Sequence, residues 1–247
     1  EIGSVKFSNL CTEIMQLSEV SDINPYFEED VIRRGISCNL GSLNIATVME
    51  NKRIREATRA AIDSLTTVSD LTNIDIVPSI KKANEELHSV GLGAMNLHGY
   101  FAKNFIMYES REALDFCNVF FMMVNFYSLE RSMEIAREKG ETFKDFDKSE
   151  YANGNYFNKY LENEYLPQTD KVKELFEGIH IPTQDDWARL KEDVMKYGVY
   201  NAYRMAIAPN QSTSYIMNST ASIMPVVDTI EVREYGDSTT FYPMPYL

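Results

Sequence analysis

With 247 residues, 44% of them hydrophobic and 12% aromatic, the chain holds enough apolar material for one large domain or two small ones. That content also excludes a disordered polymer. A net charge of -13 excludes a surface that tracks the phosphates of DNA or RNA, although a nucleotide could still be bound through backbone N–H groups.

In chain order, residues 5–14 and 35–48 read as short strand or loop segments, with a polar excursion carrying Pro25 over 18–30 between them. Ser8-Asn9-Leu10-Cys11-Thr12-Glu13 places an amide, a thiol and a carboxylate at every second position. In extended backbone alternate side chains project to one side, so Asn9, Cys11 and Glu13 are expected to converge on one small volume. A bare N-x-C-x-E string is common, and Glu13 alone reads more often as a surface carboxylate than as a base. Cys38, in Ile36-Ser37-Cys38-Asn39-Leu40-Gly41-Ser42, and Cys117 both suit the role of small buried hydrophobes.

Apolar residues at three- and four-residue steps predict a helix over 52–71. Ser79 is expected to cap a second helix over 80–88. Gly91-Leu92-Gly93-Ala94-Met95 is rich in small residues, which suits tight helix packing, and it lacks the third glycine of a dinucleotide loop. Ser110 and Gly140 bracket a long helix ending at Lys139. Residues 142–166 read as helical pieces around Asn153-Gly154-Asn155, and Thr183 with Asp186 opens a helix that stops near Gly198.

Residues 203–208 read as a buried strand ending at Pro209, followed by the hydroxyl-rich Asn210-Gln211-Ser212-Thr213-Ser214. Free N–H groups and hydroxyls there suit a phosphate, and an ordinary polar turn would look the same. Long helices between short strands place the chain in the α/β class. The three histidines lack metal-site spacing. Three widely spaced cysteines, with no apolar stretch long enough to span a membrane, suggest a reducing cytoplasmic setting. Glu1 at one end and Pro243-Met244-Pro245-Tyr246-Leu247 at the other suggest a piece of a longer protein.

Four stretches, SNLCTEI (8–14), GISCNLGSLNIA (35–46), SVGLGAMNLHGYFA (89–102) and APNQSTSYIMNSTASIMP (208–225), together resemble the catalytic large subunit of ribonucleotide reductase, most closely class Ib. The resemblance implies a ten-stranded α/β barrel built of two five-stranded halves with a finger loop through its centre. Residues 1–247 would form a single region, the second half-barrel, with the finger loop at 5–16 and a phosphate loop at 209–214.

It further implies that Cys11 carries a thiyl radical that takes the 3′ hydrogen of a ribonucleoside diphosphate. Glu13 would accept the 3′-hydroxyl proton, and Asn9 would orient the ribose hydroxyls. Cys38 would be one of two reducing thiols, and Pro209, Asn210, Gln211, Ser212 and Thr213 would hold the diphosphate. No cofactor or metal would bind directly. The radical would come from a small subunit with a dimetal-tyrosyl-radical centre, and electrons from a thioredoxin- or glutaredoxin-type reductant.

Implied partners are the N-terminal part of the large subunit, the small subunit and a second large subunit in a homodimer, with neither nucleic acid nor membrane. The family's other reducing cysteine, its adjacent tyrosine pair and its C-terminal cysteine pair have no counterpart here, so the chain alone is expected to be inactive. A non-enzymatic helical interaction module with structural cysteines, or another thiyl-radical barrel enzyme, are the competing readings.

Overall fold

A computed structural model describes residues 3–24, 26 and 29–244; Glu1, Pro25 and Pro245-Tyr246-Leu247 lie outside the described residues. The spine is α5 (Arg111–Lys139), and the chemistry of its ends sets its length. The Ser110 side chain accepts a hydrogen bond from the Ala113 N–H, and Gly140 closes the helix at φ 68°, a left-handed conformation that glycine adopts without steric cost. Phe116, Phe120, Met123 and Leu129 are wholly buried along it, because other elements pack against most of its circumference.

Against α5 lies α2 (Ile54–Leu71), which buries Ile54, Thr58, Ile62, Thr66 and Ser69 at helical spacing. Arg59 bridges Glu130 and Glu134 across the rim of this pair, and Arg131 reaches Asp63. The third major helix, α8 (Gln184–Tyr197), opens with the expected capping box between Thr183 and Asp186. Its Trp187 stacks on Tyr160 at 3.8 Å and meets the edge of Phe126 at 4.9 Å. Shorter helices fill the connections: α1 (Ile45–Glu50), α3 (Pro78–Leu87), α4 (Leu97–Lys103), α6 (Asn158–Glu162), α7 (Asp170–Leu175) and α9 (Gln211–Ile216).

β1 (Asn39–Asn44) and β2 (Val90–Met95) run parallel, in register from Asn39↔Val90 to Asn44↔Met95. On the far edge of β2 the Val90 and Leu92 N–H groups donate to Tyr203 and Arg204 carbonyls, and the Ala206 N–H donates to Leu92. Residues 203–206 thus form an irregular, half-buried third row rather than the buried strand expected. The described strands make an open arrangement, not a closed ten-stranded barrel; the mixed α/β content stands.

Several local expectations are corrected. The small-residue stretch at 91–95 is a buried strand, not a helix-packing segment. A Cβ on Gly91 would stand 2.6 Å from Leu40 Cδ2 and 2.8 Å from Cys38 Sγ, and one on Gly93 would stand 2.4 Å from the Ala206 carbonyl oxygen. These glycines admit close neighbours within the sheet. The strand expected over 35–48 stops at Asn44, whose side chain caps α1. The helix expected from Ile80 begins at Pro78, a residue suited to a first turn that has no use for its N–H, and Ser79 is not its cap. A hairpin of β3 (Ile230–Tyr235) and β4 (Ser238–Pro243), turning at Gly236 with φ 58°, had no counterpart in the sequence reading.

Candidate functional site

Cys38 and the side chains that hold the hydroxyl-rich loop lie on one face of the small sheet. A Cβ on Gly41 would meet Leu65 of α2 at 3.3 Å, so the odd positions of β1 face the helices. Alternation then turns Cys38, Leu40, Ser42 and Asn44 to the other face. From Cys38 to Ser42 is about 13 Å along the strand at the usual rise.

At the carboxyl end of this face β1 holds the hydroxyl-rich loop. Asn210 Nδ2 donates to Ser42 Oγ at 2.8 Å, and Asn44 Nδ2 donates to Ser219 Oγ at 2.9 Å. Asn96 links the two, donating to Asn44 Oδ1 at 3.2 Å and accepting from the Thr220 N–H at 3.1 Å. Asn210 is buried, and its Oδ1 has no hydrogen-bond partner. Gln211, Ser212 and Thr213 form the exposed first turn of α9, where N–H groups lack intrahelical acceptors, and Pro209 is exposed before them. A cavity of about 220 Å³ borders Pro209, Asn210 and Gln211 on the side of Met224, Val226 and Arg233.

At the amino end, Cys38 is partly buried just ahead of β1. Burial, and then the charge of Glu13, push its thiol up to about 12. Glu13, Gln16, Cys38, Val90, Tyr203 and Met205 line a cavity of about 150 Å³. Glu13 Oε2 is buried there without a partner. A buried carboxylate oxygen with no donor is costly, so a free acceptor at this point calls for a ligand proton or water.

The expected convergence of Asn9, Cys11 and Glu13 through extended backbone is corrected. The chain turns back here: the Thr12 N–H donates to the Asn9 carbonyl at 3.1 Å, Thr12 sits at φ 63°, and Ser8 bridges Met15. Asn9 Oδ1 accepts the Ile14 N–H at 3.0 Å and so braces the loop from within. Glu13 faces inward while Leu10, 98% exposed, and Cys11 face outward. The structure therefore brings Glu13 and Cys38 together and leaves the Cys11 thiol in solvent at the loop tip.

Gln16 and Tyr203 belong to this cavity and were not read from the sequence. Ser42 and Asn44 could have been, since they share Cys38's alternation along β1. Cys117 lies elsewhere, its thiol raised to about 11 by burial. His98 Nδ1 accepts the Val226 N–H at 2.6 Å, a structural bond. Among the described residues no three His, Cys, Asp or Glu side chains gather as a metal cage, and no helix is long and apolar enough to cross a membrane.

The model of the family described as "Ribonucleotide reductase, barrel domain" matches residues 1–247. The ribonucleoside-diphosphate reductase subunit alpha of Bacillus subtilis (strain 168) is 56% identical over 246 residues, covering 100% of this chain and 35% of the relative. The NrdEB subunit alpha of the same organism is 58% identical over 237 residues, covering 96% of the chain and 22% of its own length. The subunit alpha of Mycoplasma pneumoniae is 43% identical, with 98% and 34% covered. The chain thus spans about a third or less of the length of these relatives.

Proposed function

The chain belongs to the ribonucleotide reductase barrel family, and on that premise we propose that it carries part of the site that reduces ribonucleoside diphosphates to 2′-deoxyribonucleoside diphosphates. The observation that carries this reading is the unpartnered Glu13 Oε2 beside Cys38, on a sheet face whose other end holds the hydroxyl-rich loop.

In this reading a thiyl radical on Cys11 takes the 3′ hydrogen of the ribose, and Glu13 takes the 3′-hydroxyl proton. Asn9 holds the turn and offers its amide N–H groups to the ribose hydroxyls. Cys38, kept protonated at neutral pH by its burial, supplies hydrogen as the 2′-hydroxyl leaves as water. Its sulfur ends in a disulfide with a second cysteine, which balances the two electrons, while the Cys11 S–H returns the 3′ hydrogen and Glu13 the hydroxyl proton, restoring the thiyl radical. The phosphates rest on the first turn of α9, against Asn210, Gln211, Ser212 and Thr213, with Pro209 fixing the entry.

A carbon-centred radical survives only where water and competing donors are kept out, and Cys11 is exposed in this chain. The reaction therefore requires further elements of the large subunit to close over the loop. It also requires a small subunit, whose dimetal-tyrosyl centre supplies the radical, and a thioredoxin- or glutaredoxin-type dithiol as reductant. The full large subunit would act as a homodimer.

Cys11→Ser in a full-length alpha subunit carrying this segment tests the proposal. Turnover should vanish while diphosphate binding stays near its original strength, because the serine hydroxyl fills the same space without forming a comparable radical. Retained turnover would overturn the assignment. The 247-residue chain mixed with small subunit and reductant should yield no deoxyribonucleotide.

A further inference from the structure

We infer that Tyr203 is a positioning residue, whose hydroxyl latches the stem of the Cys11 loop so that Glu13 stays against Cys38. The inference rests on the proposed catalytic reading of that loop, and its test does not require turnover.

Residues 3–37 hold two isolated bridges, Ser8↔Met15 and Asp22↔Val31, and among the described residues no helix or strand. Their position over the sheet therefore depends on a few individual bonds. Two such bonds hold the loop stem, and in each the acceptor is a residue lining the Glu13–Cys38 cavity. The Leu17 N–H donates to Tyr203 Oη at 3.1 Å, and the Ser37 N–H, next to Cys38, donates to Gln16 Oε1 at 3.3 Å.

The two latches differ in what anchors them. Tyr203 is fixed by the sheet, since its carbonyl accepts the Val90 N–H at 2.9 Å. Gln16 belongs to the loop stem and is almost fully buried, with 2% exposure. One bond thus hangs the stem from the third row of the sheet, and the other ties it to the entry of β1. Glu13 lies four residues before Leu17 on the same stem, so slack at Leu17 shifts the carboxylate relative to the thiol. The titratable groups lining the cavity are Glu13, Cys38 and Tyr203 itself.

Tyr203→Phe removes the hydroxyl and keeps the ring. The readout is peptide-resolved alkylation of Cys38 by iodoacetamide across pH, in the 247-residue chain. In the parent protein Cys38 should react slowly until strongly alkaline pH. In Tyr203→Phe the released stem admits water, the thiol moves toward its ordinary value, and alkylation at pH 8 should rise by about tenfold for each unit regained. The Cys117 rate should not change.

Tyr200→Phe is the control for general loosening: it removes a hydroxyl bonded to Asp70 at 2.9 Å and lies outside the cavity lining. It should leave the Cys38 profile where it was. Gln16→Met removes the second latch, should move Cys38 in the same direction as Tyr203→Phe, and serves if that variant fails to fold. An unchanged Cys38 profile in the folded variants, or a rise matched by Cys117, would overturn the inference. Loss of the Cys11→Ser effect on turnover would instead overturn the catalytic reading and leave the latch standing.

Discussion

Between α5 and residues 3–37 the means of attachment change. The helix is held by wholly buried aromatic and aliphatic side chains, with Phe116 touching Tyr100, Phe101, Phe120 and Phe176 at ring distances of 5.2 to 5.5 Å. The loop-bearing segment is held by single hydrogen bonds and by the buried Arg34, paired with Glu86 at 2.7 Å and Asp145 at 3.8 Å. Non-directional burial tolerates small displacements, whereas a lone hydrogen bond fixes one atom and loses its worth over a few tenths of an ångström. The comparison teaches where precision is located. The helices supply stability, and the polar segment supplies placement, holding the unpartnered Glu13 Oε2 against the cavity it shares with Cys38.

That contrast can be broken most severely in the core. Phe116→Ala should cost about 3–5 kcal/mol, because a wholly buried ring leaves a cavity its neighbours cannot fill. Chemical denaturation measures this, and a loss below 1 kcal/mol would put the stability elsewhere.

The polar attachment of residues 3–37 is tested by Glu86→Gln in α3, expected to cost about 1.5–3 kcal/mol because it removes a charged acceptor of both Arg34 and Lys144. Burial alone would raise the Glu86 carboxyl, but its bonds to Lys144 and Arg34 outweigh that and hold it below its ordinary value of 4.5. The contribution is therefore complete above the unfolded-state value and is lost as pH falls through the lower, folded-state one. Melting temperature should drop below about pH 4.5 in the parent protein, and Glu86→Gln should flatten that slope. At the small end, Leu10→Ser at the exposed loop tip should change stability by less than about 0.5 kcal/mol.

What the sequence disclosed follows the same division. Ser110, Gly140, the Thr183–Asp186 box and Gly198 are local chemistry, so the bounds of α5 and α8 were readable residue by residue. Gly91 and Gly93 were misread because small residues serve helix contacts and crowded sheets alike, and only the neighbours Cys38, Leu40 and Ala206 decide between them. The β3–β4 hairpin went unread although Gly236-Asp237 is a turn signal, because its strands mix charge with apolar residues. Around Cys11, alternation holds only for extended backbone, and Thr12 at φ 63° turns the chain instead. The pairing of Glu13 with Cys38 was out of reach, since it depends on bonds from Leu17 to Tyr203 and from Ser37 to Gln16 that join distant positions.

Thr12 itself carries a last consequence. A β-branched residue held at φ 63° sits about 1–2 kcal/mol above its relaxed conformation, so the peptide beside Cys11 behaves like a cocked spring. The Asn9 Oδ1–Ile14 N–H bond spans this residue, so the strain is held inside a closed turn that carries Cys11 and Glu13 together.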